Sequence, residues 1–199
     1  MYDAWAVTYE EEVAKLGFAS PARCMAAVSA VGLNSANASP CILDVGCGTG
    51  LVGSLCVEAG LAEANFHGVD LSEQMLKQLR AKHRDSFYTS LVVHDLSSLP
   101  WPFADDVYDC SVCNGVLYYI EVPEVLDEFV RVTRKGGHCC IMIGITATRP
   151  SWYDDRDSAL RESRRWRLVA ETEPFIDFPK STSEGAEETF VICTYEVLV

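Results

Sequence analysis

The residues best suited to chemistry lie in the glycine-rich segment 43–53, LDVGCGTGLVG, where an apolar run ends and a helical pattern begins. Glycine leaves the backbone open to a ligand, and the N-terminus of the following helix adds a positive partial charge. A loop of this kind binds either a pyrophosphate or the carboxylate of an amino acid. We expect the ligand-contacting residues of the loop to be Gly46, Cys47, Gly48, Thr49 and Gly50.

Two acidic residues accompany the loop. Asp44 precedes the first glycine, and Asp70 ends the next strand-like segment, NFHGVD, 20 positions after Gly50. An acid at the position of Asp70 suits the ribose hydroxyls of either of two cofactors, a nicotinamide dinucleotide or S-adenosylmethionine. Residues 48–53 satisfy the dinucleotide pattern G-x-G-x-x-G, so the first of these cofactors has to be considered.

The choice between the two cofactors depends on Asp44. A carboxylate at this position would repel a pyrophosphate, whereas it favours the ammonium and sulfonium groups of S-adenosylmethionine. The chain has no Tyr-x-x-x-Lys pair for hydride transfer, and its 199 residues are few for an added substrate domain. The residues therefore favour S-adenosylmethionine, with S-adenosylhomocysteine as product, and an NAD(P)-dependent oxidoreductase is the alternative.

Strand-like and helical segments alternate around these residues. CILDV, NFHGVD, FYTSLVVHD, VYDCSVCN and HCCIMIGI have the character of strands, and helical segments begin near Leu51, Ser72 and Val122. The last of these helices is expected to end with basic residues and Gly136. Such alternation predicts an α/β fold, a doubly wound, Rossmann-like and mostly parallel sheet of seven strands.

The two ends of the chain differ from this central pattern. One helix is predicted over 3–16 and a second from Ser20 to Val31, together forming an N-terminal helical lid over 1–33, with a loop over 34–40. A helix over 158–169 and strands over 170–178 and 189–198, separated by the loop STSEGAE, predict a C-terminal antiparallel hairpin. We expect one domain over 1–199, with a cofactor-binding core over 41–145 and the helix and hairpin within 146–199.

Five motifs in sequence order resemble those of the class I S-adenosylmethionine-dependent methyltransferases. They are LDVGCGTG, GVDLSEQML, VVHDLSSLPWPFADDVYD, NGVLYYI and RVTRKGGHCCI. The opening YDAWAVTYEEEVAKLGFASP and the closing FVICTYEVL look further like the small Williams–Beuren-region methyltransferase-like proteins, a resemblance that spans nearly the whole chain. The resemblance implies a methyltransferase.

The same resemblance implies roles for residues near the adenosine half of the cofactor. Asp70 would accept hydrogen bonds from both ribose hydroxyls. Leu71 and Met75 would pack on the adenine, although Met75 could equally belong to the core. Asp95 would accept from the adenine amino group and Leu96 would offer a backbone N–H, the alternative for Asp95 being a loop-end or helix-capping role.

The resemblance also assigns the amino-acid half of the cofactor and the acceptor. Asn114 would offer its carbonyl to the ammonium group, and Thr49 and Leu51 would flank the carboxylate. On the lid, Tyr9 and Trp5 could face the sulfonium or simply pack on the sheet. The acceptor would lie beyond the ends of the fourth and fifth strands. The substrate candidates are Trp5, Tyr118, Tyr119 and Trp152.

Methyl transfer is a displacement at an activated carbon, and it can rely on proximity and orientation without a dedicated base. We therefore assign no catalytic residue. An apolar and aromatic lining and the acidic composition favour a small-molecule acceptor. NGVLYY stands where an NPPY motif would mark certain amino-group acceptors. The alternatives are a protein methyltransferase and a catalytically silent cofactor-binding interaction protein.

Composition restricts the partners. Sixteen Lys and Arg against 29 Asp and Glu give a formal charge of −13, which argues against nucleic acid. No apolar run approaches the ~20 residues that span a bilayer, and no basic segment precedes an apolar stretch at the N-terminus. We expect a cytoplasmic protein with no membrane partner, as a monomer or weak dimer. The basic segment 161–167 either complements a helix dipole or forms a patch for an anionic substrate.

The nine cysteines predict buried, reduced thiols. Cys110 and Cys113 form a CxxC pair, but the pair lies inside an apolar run and has no second pair at zinc spacing. None of the four histidines lies four positions from another. The sequence therefore predicts no metal site.

Overall fold

The computed structural model describes residues 2–33, 39–82, 87–181 and 188–199. Most of the predicted loops 34–40 and 181–187 lies outside these residues. Among the described helices, none is both long enough and apolar enough to cross a membrane.

The described strands form one mixed sheet in the order β3-β2-β1-β4-β5-β8-β6, and the short β7 pairs with β8. The strands are β1 Cys41–Val45, β2 Asn65–Asp70, β3 Tyr88–Val93, β4 Tyr108–Cys113, β5 Thr133–Gly144, β6 Trp166–Glu171, β7 Phe175–Ile176 and β8 Thr189–Val197. Neighbouring strands from β3 to β5 run parallel, while β8 runs antiparallel to both β5 and β6. The predicted fold class is confirmed, with seven strands on the continuous path.

Helices cover both faces of the sheet. They are α1 Tyr2–Trp5, α2 Tyr9–Leu16, α3 Ser20–Ala30, α4 Leu51–Glu58, α5 Glu73–Lys82, α6 Val125–Val132 and α7 Tyr153–Glu162. Successive residues of β1 point to opposite faces. Leu43 packs in a core with Phe129 of α6 and Leu160 of α7, whereas Ile42 packs in a second core with Val28 of α3 and Leu76 of α5.

The N-terminal segment differs from the single helix predicted over 3–16. The backbone N–H of Thr8 donates to the carbonyl of Trp5 at 3.1 Å, which closes a turn between α1 and α2. The turn buries Ala6, which is only 4% exposed. Two short helices separated by a turn therefore replace one continuous helix.

The predicted helix over 158–169 is wrong in its second half, because α7 ends at Glu162 and β6 begins at Trp166. Trp166 is buried, stacks on Tyr195 of β8 at a ring distance of 4.0 Å, and donates its indole N–H to Asp157 at 3.1 Å. Burial of this large ring against β8 outweighs the local helical pattern. The helix predicted to reach Gly136 likewise ends at Val132, since Thr133 already pairs with β4.

The basic segment 161–167 is occupied by ion pairs within the domain. Arg161 pairs with Asp157, Arg165 with Asp127 of α6, and Arg167 with Glu196 of β8. These arginines therefore fasten α7 and β6 to their neighbours, which favours the structural interpretation over an anion-binding patch.

Candidate functional site

The glycine-rich loop is held against the adjacent strand by its backbone. The N–H groups of Gly46 and Cys47 both donate to the carbonyl of Val69, at 2.8 and 3.0 Å. Gly46 has φ +71°, and a Cβ there would lie 2.2 Å from a methyl carbon of Val116. Glycine is therefore required at this position by both the backbone conformation and the close approach of the β4–α6 connection.

Asp70 joins the glycine-rich loop to the start of α5. One of its carboxylate oxygens accepts the N–H of Gly48 and the other accepts the N–H of Ser72, each at 2.8 Å. The side chain is half-buried, and burial raises the pKa of the carboxyl above its usual value, whereas the two backbone hydrogen bonds oppose that shift. Ser72 caps α5 as predicted, since its hydroxyl accepts the N–H of Met75 at 3.1 Å.

A cavity of about 420 Å³ opens at the carboxyl edge of β1, β2 and β4, and a smaller recess of about 40 Å³ adjoins it. Such edges are where open α/β sheets bind ligands. The larger volume lies within the 300–1,000 Å³ usual for small-molecule sites. Of the predicted cofactor residues, all but Gly50 line one or both spaces: Tyr9, Asp44, Gly46, Cys47, Gly48, Thr49, Asp70, Leu71, Met75, Asp95, Leu96 and Asn114.

Gly50 has a different position from its neighbours. It lies at the N-cap of α4 with φ +83°, and its N–H donates to the carbonyl of Cys47 at 2.8 Å. A Cβ there would lie 3.1 Å from Leu79. Gly50 therefore shapes the loop, and it does not line the two spaces described above.

Asp44 lies at the bottom of the smaller recess and is 2% exposed. Burial raises the pKa of this carboxyl to about 7, with a further contribution from Asp70, while the hydrogen bond from the Tyr88 hydroxyl at 2.5 Å opposes the shift. Tyr88 comes from β3, two strands away, and no local sequence signal pointed to it.

Thr49 supplies an unpaired polar group in the same recess. Its residue is 3% exposed, and its hydroxyl has no hydrogen-bond partner within the described part of the chain. A buried hydroxyl without a partner costs about 1–3 kcal/mol. This arrangement fits a ligand whose polar end enters the recess beside Thr49 and the N-terminus of α4.

Asn114 follows β4 and lines both spaces, as predicted. Its side-chain oxygen accepts a hydrogen bond from the thiol of Cys24 on α3, with a sulfur–oxygen distance of 3.4 Å. This contact fixes the side chain on one side, so that the backbone of Asn114 remains at the wall shared by the cavity and the recess.

A row of aromatic rings from the N-terminal helices includes side chains that line the cavity. The Tyr2 hydroxyl donates to the Tyr119 hydroxyl at 2.9 Å, and the rings continue through Trp5, Tyr9 and Phe18 at centroid distances of 6.1, 4.8 and 6.3 Å. Tyr2, Tyr9 and Tyr119 line the larger cavity, and Phe18 lines the recess. The N-terminal helices and the β4–α6 connection thus both contribute side chains to the wall of the site.

Three substrate candidates lie outside these two spaces. Trp5 directs its indole N–H to Glu12 at 2.7 Å and lies behind Tyr9. Tyr118 packs on the core that contains Phe190, and the Trp152 indole donates to the carbonyl of Ile120 at 3.0 Å. Of the four candidates, Tyr119 lines the larger cavity. Its neighbour Tyr118 points elsewhere, because successive side chains of the 3-10 turn at 117–119 are separated by about a third of a turn.

Sequence reasoning missed several residues at the site. Tyr2 and Asp3 of α1 contact different parts of the fold: Tyr2 donates to Tyr119, whereas Asp3 accepts the Ser72 hydroxyl at 2.5 Å and the N–H of Gln74 at 3.3 Å. Their partners are more than 60 positions away, so spacing could not reveal them. The other unpredicted lining residues are Phe18, Val52, Ser97, Gly115, Val116 and Ile120, whereas Leu51, which was expected beside the carboxylate of the cofactor, lines the recess.

All nine cysteines are free thiols, and eight of them are buried. In the part of the chain that the structure describes, no three His, Cys, Asp or Glu side chains are grouped so as to hold a metal ion. Burial raises the pKa of the Cys47 thiol beside the recess, so this thiol is a poor nucleophile at neutral pH.

Residues 43–141 match the family described as "Methyltransferase domain", and this match covers the strands and loops that form the cavity. The chain belongs to the class I S-adenosylmethionine-dependent methyltransferases. It is 33% identical to the human Methyltransferase-like protein 27 over 140 residues, which is 70% of this chain and 55% of that protein. It is 32% identical to a demethylmenaquinone methyltransferase of Symbiobacterium thermophilum over 111 residues, 55% of this chain and 43% of that protein.

A solved structure shares the methyltransferase fold. The geranyl diphosphate C-methyltransferase of Streptomyces coelicolor aligns with a TM-score of 0.69 and 15% identity, covering 89% of this chain and 79% of that one. That structure contains S-adenosylhomocysteine. The chain spans about half the length of the curated relatives it matches.

The raised pKa of Asp44 predicts how the stability of this methyltransferase depends on pH without ligand. Below the ordinary value of 3.8 the carboxyl is protonated whether folded or unfolded, and its contribution to stability is fully present; as the pH rises towards 7, only the unfolded chain ionises and the contribution is lost. Between these pH values the free energy of unfolding should fall by up to about 4 kcal/mol relative to Asp44→Asn. Urea denaturation of both proteins across pH 4–8 measures this, and parallel curves would contradict it.

Proposed function

We propose that this chain transfers a methyl group from S-adenosylmethionine to a small-molecule acceptor. The proposal depends mainly on one observation: a polar group lies in the cavity and another lies in the recess that adjoins it. Asp70 lines the larger cavity, and the unpaired hydroxyl of Thr49 lines the recess that adjoins it. The glycine backbone lies between them. A ligand with a ribose at one end and an amino-acid tail at the other satisfies both groups.

The adenosine half of the cofactor suits the larger cavity. A carboxylate has about four lone-pair sites, so Asp70 can keep its two backbone bonds and still accept the ribose hydroxyls. The adenine has Leu71, Met75 and Leu96 available for packing, and Asp95 is available for its amino group. Asp95 is exposed and accepts the N–H of Ser97 at 2.9 Å, which orients its carboxylate.

The amino-acid half of the cofactor suits the recess. Thr49 and the N-terminus of α4 offer hydrogen-bond donors and a positive partial charge to the carboxylate. Asp44 and the backbone carbonyl of Asn114 suit the ammonium group. Bringing a cation to Asp44 favours the ionised carboxyl, so binding and the protonation of Asp44 are coupled.

When bound, S-adenosylmethionine supplies a methyl carbon activated by its sulfonium. The residues of the chain then hold the acceptor in line with it and exclude water. Tyr2 and Tyr9 line the cavity from the lid, and burial raises the pKa of both hydroxyls, which keeps them protonated at neutral pH. They act as hydrogen-bond donors and as walls, and no base is assigned. We further propose that residues 1–33 are the lid, 41–145 the cofactor-binding core and 146–199 the edge that supports it.

A small-molecule acceptor is favoured by the lining and by the relatives. Leu71, Met75, Leu96, Val116 and Ile120 make much of the wall apolar. The named relatives act on demethylmenaquinone and geranyl diphosphate, both small molecules. A protein acceptor, a silent cofactor-binding role and an NAD(P)-linked oxidoreductase are the outcomes that the experiments below separate.

The role of Asp70 predicts a graded loss of cofactor affinity. Asp70→Ala removes the charged acceptor and the tie to Gly48, and it should weaken binding of S-adenosylhomocysteine by at least about 1.5–3 kcal/mol. Asp70→Asn keeps one acceptor oxygen and should lose less. Calorimetry measures both variants, with NAD as a ligand expected not to bind. Affinity that is unchanged in Asp70→Ala would contradict the proposed site.

The unpaired hydroxyl of Thr49 predicts opposite effects on stability and binding. Thr49→Val removes a buried group that lacks a partner, so the protein without ligand should be as stable as the wild type or more so. The same change should weaken cofactor binding by about 1 kcal/mol or more, whereas Thr49→Ser retains the hydroxyl and the affinity. Equal affinity of Thr49→Val and wild type would show that no ligand group pairs with this hydroxyl.

Transfer of label tests the acceptor class. The protein is incubated with methyl-labelled donor and a cell extract separated into small molecules and macromolecules, with Asp70→Ala as the background control. Label should appear among the small molecules. Label only in macromolecules would favour a protein acceptor, and binding without any transfer would favour the silent role.

A further inference from the structure

All the charged side chains among the described lining residues of the cavity are acidic. Asp70 and Asp95 are the charged side chains among its described lining residues, and Asp44 adds a third acid in the recess. Within that described lining there is no Lys, Arg or His. The aromatic and apolar side chains that complete the wall carry no charge that could offset these acids.

The basic side chains of α5 make contacts outside the cavity and the recess. α5 contributes Met75 to the wall, and its three basic residues lie further along the helix. Lys77 pairs with Glu73 at 3.4 Å, Lys82 pairs with Glu10 of α2 at 2.9 Å, and Arg80 donates to the carbonyl of Leu91 at 3.3 Å. None of these three residues lines the cavity or the recess.

A further buried acid lies behind the lid. Asp177 is 4% exposed and accepts the backbone N–H of Ser20 at the start of α3, at 2.9 Å. Its backbone carbonyl accepts the N–H of Ala19 at 2.9 Å, and the neighbouring Phe178 stacks on Phe18 of the aromatic row at a ring distance of 5.0 Å. A further acid therefore lies beside the aromatic row.

Two of the polar groups in the cavity wall are tyrosine hydroxyls. Tyr2 and Tyr119 share a hydrogen bond of 2.9 Å there, and Val116 and Ile120 lie beside them. An anionic acceptor would lose its water and meet uncharged rings, apolar side chains and acids. A buried charge without an opposite partner is strongly unfavourable, whereas a neutral molecule loses little and an ammonium group gains from the acids and the rings.

We propose that the acceptor carries no negative charge, being a neutral or cationic small molecule with an apolar or aromatic body. This inference rests on the proposed methyl transfer and adds a selection rule to it. Carboxylates, phosphates and diphosphates are rejected by the same lining that accepts an uncharged ring or chain. Geranyl diphosphate, the ligand of the structural neighbour, would thus be a poor acceptor for this chain.

The test separates acceptors by charge before the reaction. Small molecules from a cell extract are divided at pH 7 into a pool retained by an anion exchanger and a pool that passes through it. Each pool is incubated with methyl-labelled S-adenosylmethionine and either the wild-type protein or Asp70→Ala, which gives the background. Wild-type label should be at least about tenfold higher in the pool that passes through, which corresponds to about 1.4 kcal/mol.

The possible outcomes separate a failure of the charge rule from a failure of the proposed methyl transfer. Equal label in both pools, or more label in the retained pool, would overturn the charge rule and leave methyl transfer standing. No label above background in either pool, from a protein that binds S-adenosylhomocysteine in calorimetry, would overturn the proposed transfer to a small molecule and the charge rule with it.

Discussion

The carboxylate of Asp70 is the contact on which the site depends. It accepts one N–H from the glycine-rich loop and one from the start of α5, so a single side chain fastens two loops that leave adjacent parallel strands. The strands alone determine only where these loops begin. Because a carboxylate can accept further hydrogen bonds, the group that orders the site also remains able to bind a ligand.

A second constraint is the concentration of negative charge at one edge of the sheet. Asp44, Asp70, Asp95 and Asp177 all lie at or near the cavity, and burial raises the pKa of Asp44 to about 7. Holding such acids together without a cation is unfavourable. A cofactor with a positive charge lowers this unfavourable free energy. An anionic acceptor would add a further negative charge beside the acids. The same electrostatics therefore explain both the preference for a cationic donor and the proposed charge rule for the acceptor.

Much of this site follows from short-range patterns. The turn at Gly46, the spacing to Asp70 and the cap at Ser72 are each determined within one strand–loop–helix unit, so residues close in sequence suffice to predict them. The alternation of strands and helices likewise predicted the parallel core. Asn114 could be placed because it follows a strand whose carboxyl end must meet the same edge.

The remaining features depend on contacts between distant residues. The hydroxyl of Tyr88 reaches Asp44 from two strands away, and Tyr2 contacts Tyr119, which lies 117 positions further along the chain. Trp166 has helical neighbours in sequence, but its burial against Tyr195 places it in a strand. In such contacts the burial of large rings outweighs the local secondary-structure propensity. A single sequence does not reveal which rings will be buried together.

A crystal structure of the protein with S-adenosylhomocysteine tests the central claim most directly. Our account predicts the ribose hydroxyls within about 2.7–3.2 Å of the Asp70 carboxylate, with the amino-acid carboxylate beside the hydroxyl of Thr49. A ligand bound elsewhere, or one whose ribose leaves Asp70 bonded to Gly48 and Ser72 alone, would contradict it.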